Sequence, residues 1–303
     1  MNTQTDVPFN YLGLDPNLSD FDRASVLIWP VPLEKTVSYG RGTKDGPKAI
    51  IDASRYLELY DEEIGGETAL IGIHTLPAID VNSSLESMIE ALRSEARSLL
   101  RTGKFLCSLG GEHSISAPIV HAFSETFPNL SVLQIDAHAD LRESYEGSPY
   151  SHASAMRRIV EVCPAVQVGI RSISSEEVRA LPGLRTRIFY AKDIVGRSDW
   201  IDTAIDSLSE NVYLTFDVDG LDPSLIPATG TPEPGGLGWY EVLVLLKRLG
   251  GKRRVVGMDF VELCGCSDNQ APSFLTAKLI YKTLGYIFRN KIPALIPPAE
   301  TGL

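Results

Sequence analysis

Residues 130–140 read LSVLQIDAHAD, and this stretch contains the pattern that indicates the fold. Its first part, LSVLQI, is mostly apolar, which is typical of a strand covered on both faces in a parallel sheet. Its second part places Asp136, His138 and Asp140 at alternate positions directly after that strand. The stretch therefore predicts a buried strand whose carboxyl end carries a polar cluster.

Two other segments have the same arrangement. KFLCSLGG, from Lys104, is followed by a Glu and then His113, and VYLTFDVDG, from Val212, contains Asp217 and Asp219 near its end. Ligands of open parallel sheets bind beyond the carboxyl ends of the strands. We therefore expect all three polar clusters to meet at one edge of the sheet.

The rest of the chain continues the alternation of strands and helices. Patterns such as 46–60 and 83–101 predict helices, the second with a capping box of Ser83 and Glu86. We predict an α/β fold, a single three-layer α/β/α domain over residues 1–303 with 1–23 as an N-terminal extension and a mainly parallel sheet of about eight strands. The strand candidates are 24–30, 104–111, 130–138, 165–172, 187–194, 212–220 and 254–263, with 68–76 as a further one.

Composition limits the function classes. The 303 residues include 28 Lys and Arg against 39 Asp and Glu, a formal net charge of −11, which disfavours nucleic acids and anionic membrane surfaces as partners. The first residues lack the charged and apolar regions of a secretory signal, and four Cys are too few for a disulfide scaffold. We expect a cytoplasmic protein that binds a cationic small molecule or a metal ion.

The polar clusters have the composition of a binuclear metal site. Each residue alone has a simpler interpretation, because an Asp after a strand is usually a cap and a lone His is usually a structural hydrogen-bonding group. Four carboxylates in one site, however, repel one another unless about two divalent cations are present, and this N/O donor set suits Mn²⁺. The predicted ligands are His113, Asp136, His138, Asp140, Asp217 and Asp219, whereas His74 and His121 are predicted to be structural.

In this order the motifs resemble those of the ureohydrolase family, the arginases, agmatinases and their relatives. The resemblance covers nearly the whole chain, and its loop at 141–152 is most similar to bacterial agmatinases. It implies the arginase-like sandwich fold and assembly as a homotrimer or homohexamer. The segments that carry it are SYGRGTKDGP (38–47), GGEHS (110–114), DAHADLRESYEGSPYSHA (136–153), FDVDGLDPSLIPATGTPEPGG (216–236) and GMDFVE (257–262).

The resemblance also implies a role for each motif residue. Asp140 and His152 would transfer protons, and Glu262 would bind the substrate guanidinium. Two Mn²⁺ ions per subunit would supply the hydroxide that attacks the guanidinium carbon, giving urea and an amine. One ion would be bound by His113, Asp136, Asp140 and Asp217, and the other by Asp136, His138, Asp217 and Asp219.

The loop after DAHAD and the segment after Glu262 bear on the choice of substrate. Glu143 and Glu146 would favour a terminal ammonium, which predicts agmatine as substrate and putrescine, a precursor in polyamine biosynthesis, as product; Arg142 would oppose this if it pointed inward. The segment LCGCSD at 263–268 lacks the family's usual Pro and Tyr, and a more open pocket there would accept a longer substrate. The alternatives are aminopropylagmatine, guanidinobutyrate and arginine.

Two further alternatives lie outside this reaction. Metal-dependent deacetylases share the arginase-like sheet but normally use one zinc ion and lack the full set of six ligands. A non-catalytic assembly subunit would be expected to have lost a ligand, His152 or Glu262, and this chain retains them all.

Overall fold

A computed structural model describes residues 7–265 and 268–295. Its strands are β1 (Val26–Val31), β2 (Tyr60–Asp61), β3 (Gly66–Glu67), β4 (Ile73–Thr75), β5 (Phe105–Gly110), β6 (Leu130–Ile135), β7 (Ala165–Ile170), β8 (Thr186–Tyr190), β9 (Asn211–Asp217) and β10 (Arg254–Val261). Eight of these strands form one fully parallel sheet in the order β4-β1-β5-β10-β9-β6-β7-β8, and β2 and β3 form a separate antiparallel hairpin.

Helices connect the parallel strands, because the chain must cross back over the sheet before it can begin another parallel strand. Within the described ranges, none of the helices is long and apolar enough to cross a lipid bilayer. The helices are α1 (Pro16–Ser19), α2 (Gly46–Ser54), α3 (Leu85–Leu100), α4 (Ser116–Thr126), α5 (Ala155–Val162), α6 (Ser175–Ala180), α7 (Ala191–Ile194), α8 (Ile201–Asp206), α9 (Trp239–Lys252) and α10 (Ala271–Ile287).

The sheet is buried on both faces. Side chains alternate across a strand, so in β1 Val26 and Ile28 enter one apolar cluster while Leu27 and Trp29 enter the other. Residues of α2, α8, α9 and α10 complete the first cluster, and residues of α3, α4 and α5 complete the second. The predicted three-layer α/β/α sandwich and its eight-stranded sheet are therefore confirmed.

Three local predictions differ from the structure. Only Ile73–Thr75 of the candidate strand 68–76 is extended, and the helix predicted over 46–60 ends at Ser54 because the chain then enters the β2–β3 hairpin. The helix predicted to begin with a cap at Ser83 is instead capped by Ser84, whose side chain accepts a hydrogen bond from the Ser87 amide. Each difference lies at an element boundary, where local pattern is least informative.

The segment before β1 packs onto the rest of the chain from Tyr11 onwards. The Tyr11 side chain is fully buried, and its hydroxyl donates to the carbonyl of Ala277 in α10 at 2.7 Å. Its amide donates to Thr75 Oγ1 in β4 at 2.9 Å. Residues 1–6 of the predicted N-terminal extension lie outside the described residues, and the single-domain assignment stays a prediction.

Candidate metal centre

The four central strands of the sheet, β5, β10, β9 and β6, are neighbours and end at the same edge. His113 follows β5, Asp217 ends β9, and Glu262 follows β10. The DAHAD segment, residues 136–140, follows β6. The sheet topology therefore brings all three predicted clusters and Glu262 together at its carboxyl edge, although the β5 and β9 segments are about 100 residues apart in sequence.

His113 lies at the centre of the first group of candidate ligands. Its Nδ1 atom is 3.1 Å from Asp136 Oδ2, 3.0 Å from Asp140 Oδ2 and 3.4 Å from Asp217 Oδ2. These side chains are buried, and the ligand atoms of His113, Asp136 and Asp140 lie within 4.8 Å of one another. The group can supply one ion with a nitrogen and several carboxylate oxygens.

A second group is formed around His138. Its Nδ1 atom is 2.9 Å from Asp219 Oδ2 and 3.7 Å from Asp136 Oδ1. Asp136 belongs to both groups and presents a different oxygen to each histidine. Asp217 approaches the first group with Oδ2, while its Oδ1 accepts a hydrogen bond from the Asp219 amide.

The hydrogen bonds of His113 leave one ring nitrogen available for a metal. Nε2 lies 2.9 Å from Thr215 Oγ1, and the Thr215 hydroxyl in turn donates to Asp259 Oδ1 at 2.6 Å. Thr215 therefore accepts from Nε2–H, so in the neutral ring Nδ1 carries no proton. Nδ1 is buried and makes no hydrogen bond of good geometry. A metal-ligating histidine usually donates its other ring N–H to a polar group that fixes the ring, and Thr215, held by Asp259, is such a group here.

The electrostatics of the cluster require positive charge. Burial raises the pKa of Asp217 well above its usual range, and the charges of Asp219 and Asp136 raise it further. Burial alone would lower the pKa of His138, but the carboxylates of Asp136 and Asp219 outweigh it and raise that pKa to about 12. The same balance holds the pKa of His113 well above its ordinary value. Two divalent cations would replace these protons and neutralise the four carboxylates, so the residues present fit a binuclear centre.

Backbone geometry allows the ligand loops to approach one another closely. A Cβ atom at Gly220, in the turn after β9, would lie 2.8 Å from the Asp136 amide nitrogen, so only glycine fits there. Asp140 has a φ of 52°, a left-handed conformation that is costly for most residues and tolerated by Asp. This turn brings the Asp140 side chain back towards His113.

Glu262 lies beside this cluster and faces the same cavity. Its Oε1 accepts a hydrogen bond from the His113 amide at 2.7 Å, and its backbone φ is 65°. Burial raises its pKa to about 8, with a further contribution from the charge of Glu112. Within the part of the chain that the structure describes, no Lys or Arg forms an ion pair with it. A cationic ligand would supply the missing partner.

A cavity of about 140 Å³ connects these groups with His152. Its lining includes His138, Asp140, Asp219, Glu262 and His152. The cavity therefore places a candidate proton-transfer residue, candidate metal ligands and a buried carboxylate around one small volume.

Comparison with known proteins decides the family. The model of the arginase family matches residues 24–285. This chain belongs to the arginase family. It is 38% identical to an N(1)-aminopropylagmatine ureohydrolase of Synechocystis sp., covering 89% of this chain and 91% of that one, and 34% identical to an agmatinase of Pyrococcus horikoshii, covering 91% and 98%. This chain is also similar to the solved structure of the agmatine ureohydrolase of Thermoplasma volcanium, with a TM-score of 0.84 and 31% sequence identity. The match covers 94% of this chain and 96% of the Thermoplasma chain.

Membership of the arginase family confirms the predicted enzyme class. The chain is a ureohydrolase, an enzyme that hydrolyses guanidino compounds, in a family of binuclear metal enzymes. The deacetylase and the non-catalytic alternatives are not supported by these relatives.

The loop at 141–152 is arranged differently from what the sequence predicts for this arginase-family member. Glu143 is exposed and pairs with Arg157 at 2.6 Å and Arg158 at 2.9 Å, and neither Glu143 nor Glu146 lines the cavity. Arg142 does line it, with its guanidinium carbon 5.1 Å from the centre of the Tyr145 ring. The expectation that these two Glu residues bind a terminal ammonium is therefore wrong. Two arginines engage Glu143, and Glu146 is exposed outside the cavity.

Several supporting residues were not identified from the sequence. Thr215 contacts His113 and is held by Asp259. Thr36 contacts His152 and is held by Glu112. A Glu in the GGEHS motif and an Asp inside an apolar strand are visible signals of buried, paired carboxylates. The threonines carry no local signal. The predicted opening at 263–268 includes Cys266 and Ser267, which lie outside the described residues.

Proposed function

We propose that this chain is a binuclear manganese hydrolase that converts a linear guanidino amine into urea and an amine, with N1-aminopropylagmatine as its substrate. The observation that carries the reaction is the shared cavity of Glu262 and the His113–His138 carboxylate cluster. The buried carboxylate of Glu262 would pair with a planar guanidinium beside two cations. This would place the guanidinium carbon next to the site of water activation.

The proposed ligand sets follow the two groups around the histidines. His113, Asp136, Asp140 and Asp217 would hold one ion, and Asp136, His138, Asp217 and Asp219 would hold the other. The short distances from His113 Nδ1 to three carboxylates support the first set, and the 2.9 Å distance from His138 to Asp219 supports the second. The bridging position of Asp136 is supported by the two directions of its oxygens.

Lewis-acid activation of a water molecule is the chemistry that two divalent cations supply when bound here. Glu262 would orient the guanidinium so that its central carbon faces that water. Asp140 would accept the proton that the attacking water loses. The breaking C–N bond leaves its electron pair on the amine nitrogen, which would take one proton from His152 and the proton held by Asp140 to depart as an ammonium. The second proton of the attacking water would leave to solvent as the urea carbonyl forms, and His152 would recover one proton from solvent. Water and guanidinium thus become urea and an ammonium with no net gain or loss of protons.

Relatives support the longer substrate. The 38% identical relative is named for N(1)-aminopropylagmatine, whereas the agmatinase named above is 34% identical. The placement of Glu143 and Glu146 away from the cavity removes the argument that favoured the shorter agmatine. Agmatine is the second candidate, supported by the likeness to solved agmatine ureohydrolase. The products would be urea and aminopropyl-putrescine or putrescine, respectively, in polyamine biosynthesis.

Three further properties belong to the same proposal. Mn²⁺ is supported by the N/O donor set without thiolates. A homotrimer or homohexamer and a cytoplasmic location are carried over from the family resemblance and the composition.

The test is urea release by Mn²⁺-loaded protein. The substrates are aminopropylagmatine, agmatine, guanidinobutyrate and arginine, and Asp136→Asn serves as the inactive control. We expect the highest kcat/KM with aminopropylagmatine. A higher kcat/KM with agmatine would leave the reaction standing and overturn the substrate, and no urea from any compound would overturn both.

A further inference from the structure

We propose that Thr36 is a positioning residue that fixes the tautomer of His152 by linking its ring to the carboxylate of Glu112. This inference rests on the proposed role of His152 in proton transfer. Thr36 Oγ1 lies 3.1 Å from His152 Nδ1 and 2.9 Å from Glu112 Oε1. Three residues from three separate segments therefore form a continuous carboxylate–hydroxyl–imidazole chain.

Glu112 is fully buried and acts as an acceptor at both oxygens. Oε2 accepts hydrogen bonds from the backbone amides of Lys35 at 2.7 Å and Thr36 at 2.6 Å. Oε1 accepts from the hydroxyls of Thr36 and Ser114. The carboxylate thus holds the 35–36 backbone in place and orients the Thr36 side chain.

The direction of the Thr36 hydrogen bond follows from proton counting. Its hydroxyl has one proton, and a bond to a carboxylate is stronger than a bond to a neutral ring nitrogen. With that proton donated to Glu112, Thr36 Oγ1 can only accept from the imidazole. It also accepts from the backbone amide of His152 at 3.0 Å. The neutral ring must therefore carry its proton on Nδ1.

One neighbouring group could impose the opposite tautomer. Ser151 Oγ lies 3.3 Å from His152 Nδ1 and would donate to that nitrogen if the ring were protonated at Nε2. This distance is longer than the 3.1 Å to Thr36, and Ser151 has no carboxylate behind it in the contacts of this network. The geometry therefore favours Thr36 as the partner that decides the tautomer.

The consequence concerns the other nitrogen of the ring. With Nδ1–H donated to Thr36, Nε2 has a free lone pair and accepts a proton from solvent to give the imidazolium. Nε2–H then donates its proton to the departing amine nitrogen as the C–N bond breaks, and the neutral ring returns to its starting tautomer. No proton passes through Thr36 or Glu112, which only orient the ring.

His113 is held by the same kind of chain, Asp259–Thr215–His113. There the hydroxyl accepts from Nε2 and leaves Nδ1 for a metal ion. At His152 the hydroxyl lies against Nδ1 and leaves Nε2 for proton transfer. The two hydrogen-bonded chains share no residue. The same carboxylate–hydroxyl arrangement therefore leaves Nδ1 available on His113 and Nε2 available on His152.

The first test reads the tautomer directly. Solid-state ¹⁵N spectra are recorded on histidine-labelled, zinc-loaded protein, and the His152 signals are assigned by their loss in His152→Asn. We expect a protonated Nδ1 and an unprotonated Nε2 in the neutral ring, with the pattern lost in Thr36→Val and kept in Thr36→Ser and Ser151→Ala. A protonated Nε2 in the unmodified protein would overturn the proposal.

The second test measures kinetics on the manganese enzyme. Thr36→Val should lower kcat by about 10- to 100-fold with little change in KM or metal content, by analogy with the loss of a residue that orients a metal-ligating histidine. Thr36→Ser should restore most of kcat, and Ser151→Ala should keep it. An unchanged kcat in Thr36→Val would contradict the inference. If the unmodified protein releases no urea at all, the proposed function fails, while the spectra still decide the role of Thr36.

Discussion

His113 and Thr215 are joined at 2.9 Å between Nε2 and Oγ1, so the opposite nitrogen of the ring faces the carboxylate cluster. Because Thr215 is itself held by Asp259, the ring cannot rotate or change tautomer without losing a buried hydrogen bond. The metal-facing nitrogen is thus selected by a residue that does not touch the metal position. The first prediction tests this relationship.

Thr215→Val should weaken metal binding about 10- to 100-fold, since outer partners of ligating histidines contribute that much to affinity. Metal content after dialysis against graded chelator measures the change. Thr283→Val is the matched control, because Thr283 is also buried but its hydroxyl donates within α10, to Leu279. Equal metal retention by both variants would contradict the assigned role of Thr215.

Asp136→Asn should lower the occupancy of both metal sites, because Asp136 presents one oxygen to each histidine group. Elemental analysis should give well under two ions per chain. Added Mn²⁺ should raise the Tm of the unmodified protein and should raise the Tm of Asp136→Asn much less. Asp206→Asn, at the exposed end of α8, is the control for loss of a carboxylate. Full two-metal loading of Asp136→Asn would exclude the bridging position.

Glu262→Gln should retain both metal ions and lose most of kcat/KM on every guanidino substrate. A charge-assisted bidentate pair becomes a weaker amide contact, a loss of about 2–4 kcal/mol. The buried Oε1 acceptor for the His113 amide is preserved as an amide oxygen, so the fold and the metal content should persist. Elemental analysis and urea release on the same sample separate the two properties. Near-normal kcat/KM would show that another group binds the guanidinium.

Arg142→Gln should change selectivity according to the charge at the far end of the substrate. Arg142 lines the cavity, and its positive charge opposes an incoming ammonium. The KM for aminopropylagmatine and agmatine should therefore fall about two- to fivefold, which corresponds to the energy of one charge–charge interaction at an exposed site. The KM for guanidinobutyrate, which ends in a carboxylate, should rise. Glu143→Gln is the control, because Glu143 pairs with arginines outside the cavity. Parallel changes for both substrate types would contradict this charge effect.

Much of this protein follows from its sequence alone. The apolar strand ahead of DAHAD, and the similar strands ahead of GGEHS and DVDG, predict a parallel sheet with polar clusters at one edge, because strand burial and strand-end polarity are local properties of the chain. The fold and the family were predicted from these segments, and the structure and the relatives confirm them.

The tertiary structure decided what depends on distant contacts. Thr36 and His152 are 116 positions apart, and Thr215 and Asp259 are 44 apart, so no local pattern indicates that either pair meets. The sequence predicts that Glu143 binds substrate, but in the folded chain Glu143 pairs with Arg157 and Arg158. A buried hydroxyl or carboxylate takes its role from the partner that satisfies it, and only the folded chain determines which partner that is.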